Sequence, residues 1–215
     1  MSTPRVTIID YGVGNLLSVS RGFEHYGASV ELTADSRKIL SSQRVVLPGV
    51  GAFPNAMQIL NKLNLVSVIQ ELVSKGTPLL AICLGMQLIM EESEEFGVTR
   101  GLGLIPGRVV AIPSVGIDGN SQKIPHIGWS SLNVSNPQNS WSGTLLQDVK
   151  LGDSLYFTHS FMAKPSFQQN QLAHTSYGGH EISAVIKKDQ ITGCQFHPEK
   201  SGHVGLKILE RFLSQ

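Results

Sequence analysis

The sequence predicts an α/β fold, with a central, mostly parallel sheet, helices on both faces and an antiparallel extension. In the N-terminal half, short apolar strand patterns alternate with helical patterns, which is typical of right-handed strand–helix–strand crossovers. In the C-terminal half, strand patterns follow one another with turn-rich stretches between them. A single domain over residues 1–215 is the simpler account, although this length also allows two small domains.

The N-terminal half contains three strand patterns, and a turn and a helical pattern follow each of them. The strands are predicted at residues 6–9, 44–47 and 79–82. The helices are predicted at residues 16–26, 52–61 and 66–74, and from about Met86 onwards. Gly27 is placed to end the first helix.

The C-terminal half predicts six strands, at residues 109–112, 129–134, 155–158, 172–175, 182–186 and 191–196. Turn-rich stretches lie between them, at residues 114–121 and 136–142. A final amphipathic helix is predicted over residues 204–213. This succession of strands predicts the antiparallel or mixed extension of the sheet.

Composition excludes several classes of protein. Charged residues make up 15% of the chain and the net charge is +1, which does not indicate a nucleic-acid or membrane-surface partner. Cys83 and Cys194 are not in a CxxC pair, so we expect neither a disulfide framework nor a structural zinc site. The N-terminus lacks the apolar region of a signal peptide, and no apolar run approaches the length of about 20 residues that spans a membrane. We therefore expect a soluble cytoplasmic protein that needs no metal or organic cofactor.

The first chemical motif is a strand, a small-residue turn and a helix around Cys83. A side chain at such a corner stands exposed above the sheet, as in the nucleophile elbow of hydrolases. Ala81 and Gly85 lie two residues to either side, where bulk would obstruct the turn. A following helix favours a thiolate, and the N–H of Leu84 could serve a developing oxyanion. Since free cysteine is usually buried and inert, a structural role stays open for Cys83, and we interpret Cys194 as a core residue.

The second motif is His197-Pro198-Glu199. A thiolate nucleophile needs a general base that returns a proton to the leaving amine, and histidine suits this role near neutral pH. A third group must fix its ring and tautomer. Residues two apart in an extended segment face the same way, so Glu199 could orient His197. Many surface loops contain such a pair, and the spacing alone does not exclude a structural role.

A third motif is the turn at residues 48–51, where glycines flank Val50. Gly49 and Gly51 would let the Val50 peptide present its N–H to a ligand or turn it away. An ordinary strand–helix turn has the same sequence. The glycines at positions 12 and 14 do not complete a GxGxxG pattern, because Leu17 occupies its last position, and the chain has no GxxxxGK[ST]. We assign no dinucleotide or nucleoside triphosphate site.

Seven segments together resemble the class I glutamine amidotransferases, and in particular the glutaminase subunit of imidazole glycerol phosphate synthase in histidine biosynthesis. They lie at residues 9–16, 47–53, 82–88, 101–107, 125–129, 156–161 and 195–201. The resemblance covers nearly the whole chain. The nucleophile turn and the His-Pro-Glu segment are shared by the wider class, whereas Asp10-Tyr11-Gly12 and residues 125–129 point to this subfamily.

The resemblance implies a flavodoxin-like fold and a mechanism in which ammonia is cut from glutamine. Its implied residues fall into three groups. The catalytic group is Cys83, His197 and Glu199, the substrate-binding group is Gln87, Gly49 and Gly51, and the oxyanion donors are Val50 and Leu84. We add the hypothesis that the Val50 peptide is a gate, since losing one oxyanion donor costs about 3–4 kcal/mol.

The resemblance also implies a heterodimer with a (β/α)8-barrel cyclase, which receives the ammonia and makes imidazole glycerol phosphate and AICAR. Asn15, Trp129 and Lys200 fall in segments that face this partner in the family. A helix-capping role for Asn15, a core position for Trp129 and a solvated Lys200 are the structural alternatives.

The chain departs from the family pattern at two positions, and three alternative functions stay open. Ala81 stands where the family has glycine, Ser130 where it often has asparagine, and the loops at 114–123 and 136–142 differ. One alternative is a peptidase or amidase, which need not depend on Gln87. Another is a scaffold subunit, which has no need of all three catalytic residues. A third is a paralogue that supplies ammonia to a surface-sugar synthase.

Overall fold

The computed structural model describes residues 3–135 and 141–215. The strands are β1 (Arg5–Ile9), β2 (Ser29–Thr33), β3 (Val45–Gly49), β4 (Leu79–Cys83), β5 (Met90–Ser93), β6 (Thr99–Arg100), β7 (Ile105–Ala111), β8 (His126–Ser131), β9 (Asn133–Val134), β10 (Ser154–His159), β11 (Phe161–Pro165), β12 (Gln171–Tyr177), β13 (His180–Lys188) and β14 (Ile191–Cys194). The helices are α1 (Leu16–Glu24), α2 (Ser36–Leu40), α3 (Phe53–Lys62), α4 (Leu65–Ser74), α5 (Leu84–Leu88) and α6 (Gly202–Leu213).

The main sheet has eight strands in the order β2-β1-β3-β4-β14-β13-β12-β9. The first five strands run parallel, and β13, β12 and β9 extend the sheet in antiparallel fashion. The predicted fold class is therefore confirmed. β14 lies directly beside β4, with Cys194 opposite Ile82, so the segments that follow these two strands emerge at the same edge of the sheet.

The sheet carries a hydrophobic layer on each face because its strands are buried on both sides. Val46 of β3 points into the layer that contains Phe23 of α1 and Ile208 of α6. The next residue, Leu47, points into the other layer, which contains Leu60 of α3. This alternation explains why the parallel strands read as continuous apolar runs.

Two smaller sheets are added by the C-terminal half of the chain. β11, β7, β5 and β6 form one of four strands, and β10 pairs with β8 in the other. In the β8–β10 pair, His126 stands opposite His159 and Trp129 opposite Tyr156. His126 is buried while Ile127 and Trp129 are exposed, so β8 has an inner and an outer face.

Most predicted strands and helices match the structure to within a few residues, and the differences include the following three. The helix expected from Met86 begins earlier, at Leu84, and lasts one turn before β5 follows. The strand expected at 129–134 is divided between β8 and β9. The strand β2 was not predicted, because it lies at the sheet edge and all five of its side chains are half-buried or exposed in irregular order.

Of the two loops that differ from the family pattern, the first is described in full by the structure and the second only in part. In the first, Val115 bridges to Ser121, and the Val115 carbonyl accepts a hydrogen bond from His180 Nε2 at 2.8 Å. The loop at 114–123 therefore packs on the β12–β13 hairpin. Of the second, residues 136–140 lie outside the described residues, and Trp141 is buried in the core. Within 3–135 and 141–215, no helix has both the length and the apolar character needed to cross a membrane.

Replacing Gly85 by alanine is expected to destabilise the protein by about 3 kcal/mol or more. A Cβ at this position would lie 2.0 Å from the backbone oxygen of Leu47, which cannot move without disturbing the central sheet. Gly22→Ala is the control, because its Cβ would meet the side-chain end of Leu209 at 2.5 Å. That methyl group can rotate away, so we expect a loss below about 1 kcal/mol. Urea unfolding measures both, and equal losses would contradict the argument.

Candidate active site

Cys83 is the last residue of β4 and directly precedes α5. Its φ of +54° is rare for a residue with a side chain, and the strand pairing of β4 on both sides holds it there. Gly85 allows α5 to approach the Leu47 carbonyl closely. The predicted elbow geometry is present, and Cys83 is placed at the carboxyl edge of the parallel sheet, where ligands bind in open α/β folds. Cys194, in contrast, is fully buried within β14.

His197 and Glu199 follow β14, and His197 Nδ1 donates a hydrogen bond to Glu199 Oε1 at 2.8 Å. Their side chains are only 3% and 1% exposed. The backbone of His197 is anchored as well, since its N–H donates to Tyr156 O and its carbonyl accepts from Ser201 Oγ. The reason for the pairing differs from the predicted extended segment, because a 3₁₀ turn at Pro198–Lys200 brings the two side chains together.

The charges around His197 favour its protonated form. Burial by itself would lower the pKa of His197, but the interactions with Cys83 and Glu199 outweigh burial and raise the pKa to about 10. The contact with Cys83 falls short of hydrogen-bond geometry, and His197 Nε2 has no other partner among residues 3–135 and 141–215. This nitrogen is therefore free to exchange a proton on the side that faces Cys83.

A cavity of about 300 Å³ opens beside Cys83. Its lining combines six residues that the sequence had singled out with six others: Val50, Gly51, Cys83, Leu84, Gln87 and His197, together with Glu95, Pro125, Thr158, His159, Ser160 and Phe161. This volume is at the lower end of the range for small-molecule sites, which suits an amino acid.

Gly49, predicted to bind substrate, does not line this cavity. It lies behind the turn, where a Cβ would meet Tyr11 Oη at 2.7 Å and Leu84 Cβ at 3.0 Å. The buried Tyr11 hydroxyl donates a hydrogen bond to Pro48 O at 3.0 Å. The pKa of Tyr11 is raised, mainly by burial and to a smaller extent by the charge of Cys83. The start of the turn is thus held by Tyr11, and Gly49 provides the room for that contact.

Glu95 is a cavity residue that sequence reasoning missed. Its carboxylate accepts a hydrogen bond from the backbone N–H of Phe53 at 2.7 Å, and its side chain is largely buried. Because Ala52 offers no side chain to cap α3, Glu95 supplies the missing acceptor from a distant strand end. Glu95 belongs to an acidic run at residues 91–95, which resembles a solvated surface, so no local signal distinguishes it.

The three residues assigned to a partner interface lie at or near the surface. Asn15 caps α1, with its Oδ1 accepting from the N–H of Ser18 at 3.4 Å, as in its structural alternative. Trp129 is 58% exposed on the outer face of β8, so it is not a core residue. Lys200 is exposed directly after Glu199. No group of three or more His, Cys, Asp or Glu that could hold a metal exists among the described residues.

Comparison with known sequences identifies the family of this chain and many similar proteins. A model of the class-I glutamine amidotransferases matches residues 7–215. The chain is 52% identical over 208 residues to imidazole glycerol phosphate synthase subunit HisH 1 of Legionella pneumophila (strain Lens), covering 97% of this chain and 98% of the relative. It is 46% identical over 209 residues to subunit HisH of Geobacillus sp. (strain WCH70), covering 97% and 96%.

Solved structures share the fold at low sequence identity. A glutamine amidotransferase crystal structure superposes with a TM-score of 0.71 at 13% identity, covering 97% of each chain. The PurLQS structure from Thermotoga maritima gives a TM-score of 0.70 at 16% identity, covering 99% of this chain and 98% of the other. The architecture is therefore that of glutamine amidotransferases.

Proposed function

The chain belongs to the class-I glutamine amidotransferase family, and on this premise we propose that it is the glutaminase subunit of an imidazole glycerol phosphate synthase. The observation that carries the proposal is the placement of Cys83 and His197 at one cavity, with Glu199 hydrogen-bonded to His197 behind it. Relatives that carry the HisH subunit name match the chain over 97% of its length, which supports the assignment to histidine biosynthesis.

The first half of the reaction forms a thioester. The Cys83 thiolate attacks the side-chain carboxamide carbon of glutamine, and the negative oxygen accepts from the Leu84 N–H and from the turn at 48–51. Attack uses up the thiolate charge, which is one cause of the raised pKa of His197. His197 therefore becomes a stronger acid as the bond forms, and it gives its proton to the leaving ammonia.

The second half returns the enzyme to its starting state. His197, now neutral, takes a proton from a water molecule, which attacks the thioester and releases glutamate. Glu199 stabilises the His197 ring when it is charged, and it keeps the proton on Nδ1 when the ring is neutral. Of the substrate's other groups, its ammonium fits the buried Glu95 carboxylate at the cavity wall, and its carboxamide fits Gln87.

Ammonia is then passed to a (β/α)8-barrel cyclase subunit that binds over the cavity. Trp129, with Ile127 on the same outer face of β8, offers exposed apolar surface for such a partner. Lys200 offers a charge next to the triad, and Asn15 lies at the start of α1. Exposed aromatic and cationic side chains of this kind are common anchors of protein interfaces.

The proposal is tested by measuring glutamate released from glutamine by the protein alone, with the cyclase, and with the cyclase and its ribonucleotide ligand. We expect turnover to rise strongly only in the third case. If turnover is the same with and without the cyclase, the chain is a glutaminase, but its partner is another synthase and not the histidine-pathway cyclase. If no condition gives turnover and a second candidate partner also fails to produce it, the assignment as a glutaminase is wrong and the chain is a scaffold subunit.

Replacing Gly51 by valine is expected to lower glutaminase activity in the full complex by about 100- to 1000-fold, the cost of losing one oxyanion donor. Gly51 has a φ of +95°, which a β-branched residue does not adopt, so the Val50 peptide would be forced into another orientation. Space is not the obstacle, because a Cβ at Gly51 meets nothing within 4 Å.

Gly76→Val is the matched control for this substitution. Gly76 has a φ of +82° and equally open surroundings, but it follows α4 and does not line the cavity. Both variants should lose similar stability, and only Gly51→Val should lose activity. Unchanged activation of Gly51→Val by cyclase and ligand would contradict the gate hypothesis.

A further inference from the structure

Two buried histidines outside the triad form a hydrogen-bonded pair at the wall of the cavity. His126 Nδ1 and His159 Nε2 are 3.1 Å apart, and the residues are 2% and 6% exposed. The other nitrogens also have partners, with His126 Nε2 2.9 Å from Ser130 Oγ and His159 Nδ1 2.8 Å from Phe161 O. The pair therefore forms a continuous polar line from β8 to the first residue of β11.

The Phe161 carbonyl, at one end of this line, fixes the direction of every hydrogen bond in it. A backbone carbonyl can only accept, so His159 Nδ1 must carry the proton that Phe161 O receives. In a neutral ring, His159 Nε2 is then an acceptor, and His126 Nδ1 must donate to it. His126 Nε2 accepts in turn, and Ser130 Oγ donates to it. Both rings are thus assigned to the Nδ1–H tautomer.

The surroundings of the pair keep both rings neutral. His126 is stacked between Tyr177 and Phe157, at ring-centre distances of 4.1 and 5.1 Å. Burial is the main reason that the pKa of each of the two histidines is lowered to about 4, so neither ring is charged at neutral pH. The neutral His159 ring, hydrogen-bonded to the stacked His126 ring, therefore holds the Phe161 carbonyl with a single pattern of donors and acceptors.

The same carbonyl is bound from the other side by Gln87. Gln87 Nε2 donates to Phe161 O at 3.0 Å and to Gln195 Oε1 at 3.1 Å, and Gln195 Nε2 approaches Cys83 Sγ at 3.8 Å. Because Phe161 O only accepts and the amide oxygen of Gln87 has no proton to donate, the NH₂ group of Gln87 must face Phe161 O. The bond from Gln87 Nε2 to Gln195 Oε1 in turn fixes the orientation of the Gln195 amide, so that its Nε2 faces Cys83 Sγ.

We propose that His126 and His159 are positioning residues which, by holding the Phe161 carbonyl, orient Gln87 so that the cavity selects an amide over a carboxylate. The proposal rests on the proposed function and deepens it by naming what determines the preference for glutamine. Both N–H groups of Gln87 are used inside the protein, so its Oε1 is the polar atom left for a ligand. An oxygen acceptor binds the NH₂ group of glutamine and repels the carboxylate of its product, glutamate.

The tautomers are tested first, by ¹⁵N NMR of the full-length protein labelled at its histidines. We expect two neutral rings in the Nδ1–H form at pH 7, with ring protons that exchange slowly with water. Finding either ring as the Nε2–H tautomer or protonated would overturn the proposal. This measurement does not depend on any enzymatic activity, so its outcome is separate from that of the proposed function.

The selectivity is tested by calorimetric binding of glutamine and glutamate to the Cys83→Ala protein, with His159→Phe and His159→Asn added to it. His159→Phe removes the donor to Phe161 O, and we expect the preference for glutamine over glutamate to fall by about tenfold, which corresponds to one hydrogen bond. In His159→Asn the side-chain amide can replace Nδ1–H, so most of the preference should return. His174→Phe, on the partly exposed His174 of β12, should keep it.

Three results would contradict the proposal at this stage. One is an equal loss of affinity for glutamine and glutamate in His159→Phe, which would indicate a merely structural role. The second is a failure of His159→Asn to restore the preference while its thermal unfolding matches the parent protein. The third is an unchanged preference in His159→Phe. If the parent protein binds neither amino acid while both rings show the Nδ1–H tautomer, the proposed function is wrong and so is the selectivity assigned to the pair.

Discussion

Replacing Cys83 by alanine is expected to lower glutamine hydrolysis by about 10⁶-fold, the loss seen when a nucleophile is removed from a comparable triad. No other described side chain at the cavity provides a thiol, and the elbow directs this one above the sheet. The oxyanion donors and the binding groups would remain, so glutamine should still bind. Glutamate release in the complex with cyclase and ligand measures the effect.

Cys194→Ala is the matched control, because the chain offers a second buried cysteine on the neighbouring strand. Burial raises the pKa of Cys194 above its usual range, which keeps it a neutral thiol. Losing it should cost stability through a small cavity and leave hydrolysis nearly unchanged. Residual turnover above one per cent in Cys83→Ala, or a comparable loss in Cys194→Ala, would show that the nucleophile has been misassigned.

Replacing Glu199 by glutamine is expected to lower turnover by about 10⁴-fold, as in triads whose carboxylate is replaced by an amide. The glutamine side chain keeps the volume but removes the negative charge that stabilises the imidazolium of His197. Because that charge contributes to the raised pKa of His197, the pKa should fall below the value of about 10 in the parent protein. The protonated His197 ring, which stabilises the Cys83 thiolate, would then lose its proton at a lower pH than in the parent protein.

Two measurements check this prediction together. Turnover gives the loss in rate, and an NMR titration of the His197 ring gives its pKa in both proteins. Glu71→Gln is the control, since Glu71 forms only an exposed ion pair with Lys75 on α4. If His197 titrates at the same pH in Glu199→Gln as in the parent protein, Glu199 does not act through charge, and the assigned role is wrong.

The elbow was predictable because its requirements are local. A run of apolar residues, small residues at 81 and 85 and a following helix are all visible within nine positions of sequence. The structure gives the reason for Gly85, which packs against the Leu47 carbonyl of the neighbouring strand. The pairing of His197 with Glu199 was also predicted from their spacing, although the turn at Pro198–Lys200 produces it in place of an extended segment.

The rest of the cavity depends on contacts between distant parts of the chain, and no local pattern marks them. Glu95 reaches the start of α3, 42 positions away, and Gln87 bonds to Gln195 across 108 positions. His126 and His159 meet only because β8 and β10 pair in a particular register. Each residue by itself has an ordinary surface or core interpretation, so the tertiary structure was needed to group them.

The position of β14 between β4 and β13 has a consequence for how a cell makes this protein. The strand that carries Cys83 is synthesised early, whereas its neighbour and the residues that follow it, His197 and Glu199, are synthesised much later. If Cys83 is the nucleophile and His197 its base, a growing polypeptide on the ribosome therefore holds the nucleophile without its base until residues 191–199 have been translated and paired with β4. We therefore expect incomplete copies to be unable to hydrolyse glutamine, so that the capacity to release ammonia arises only when the sheet is complete.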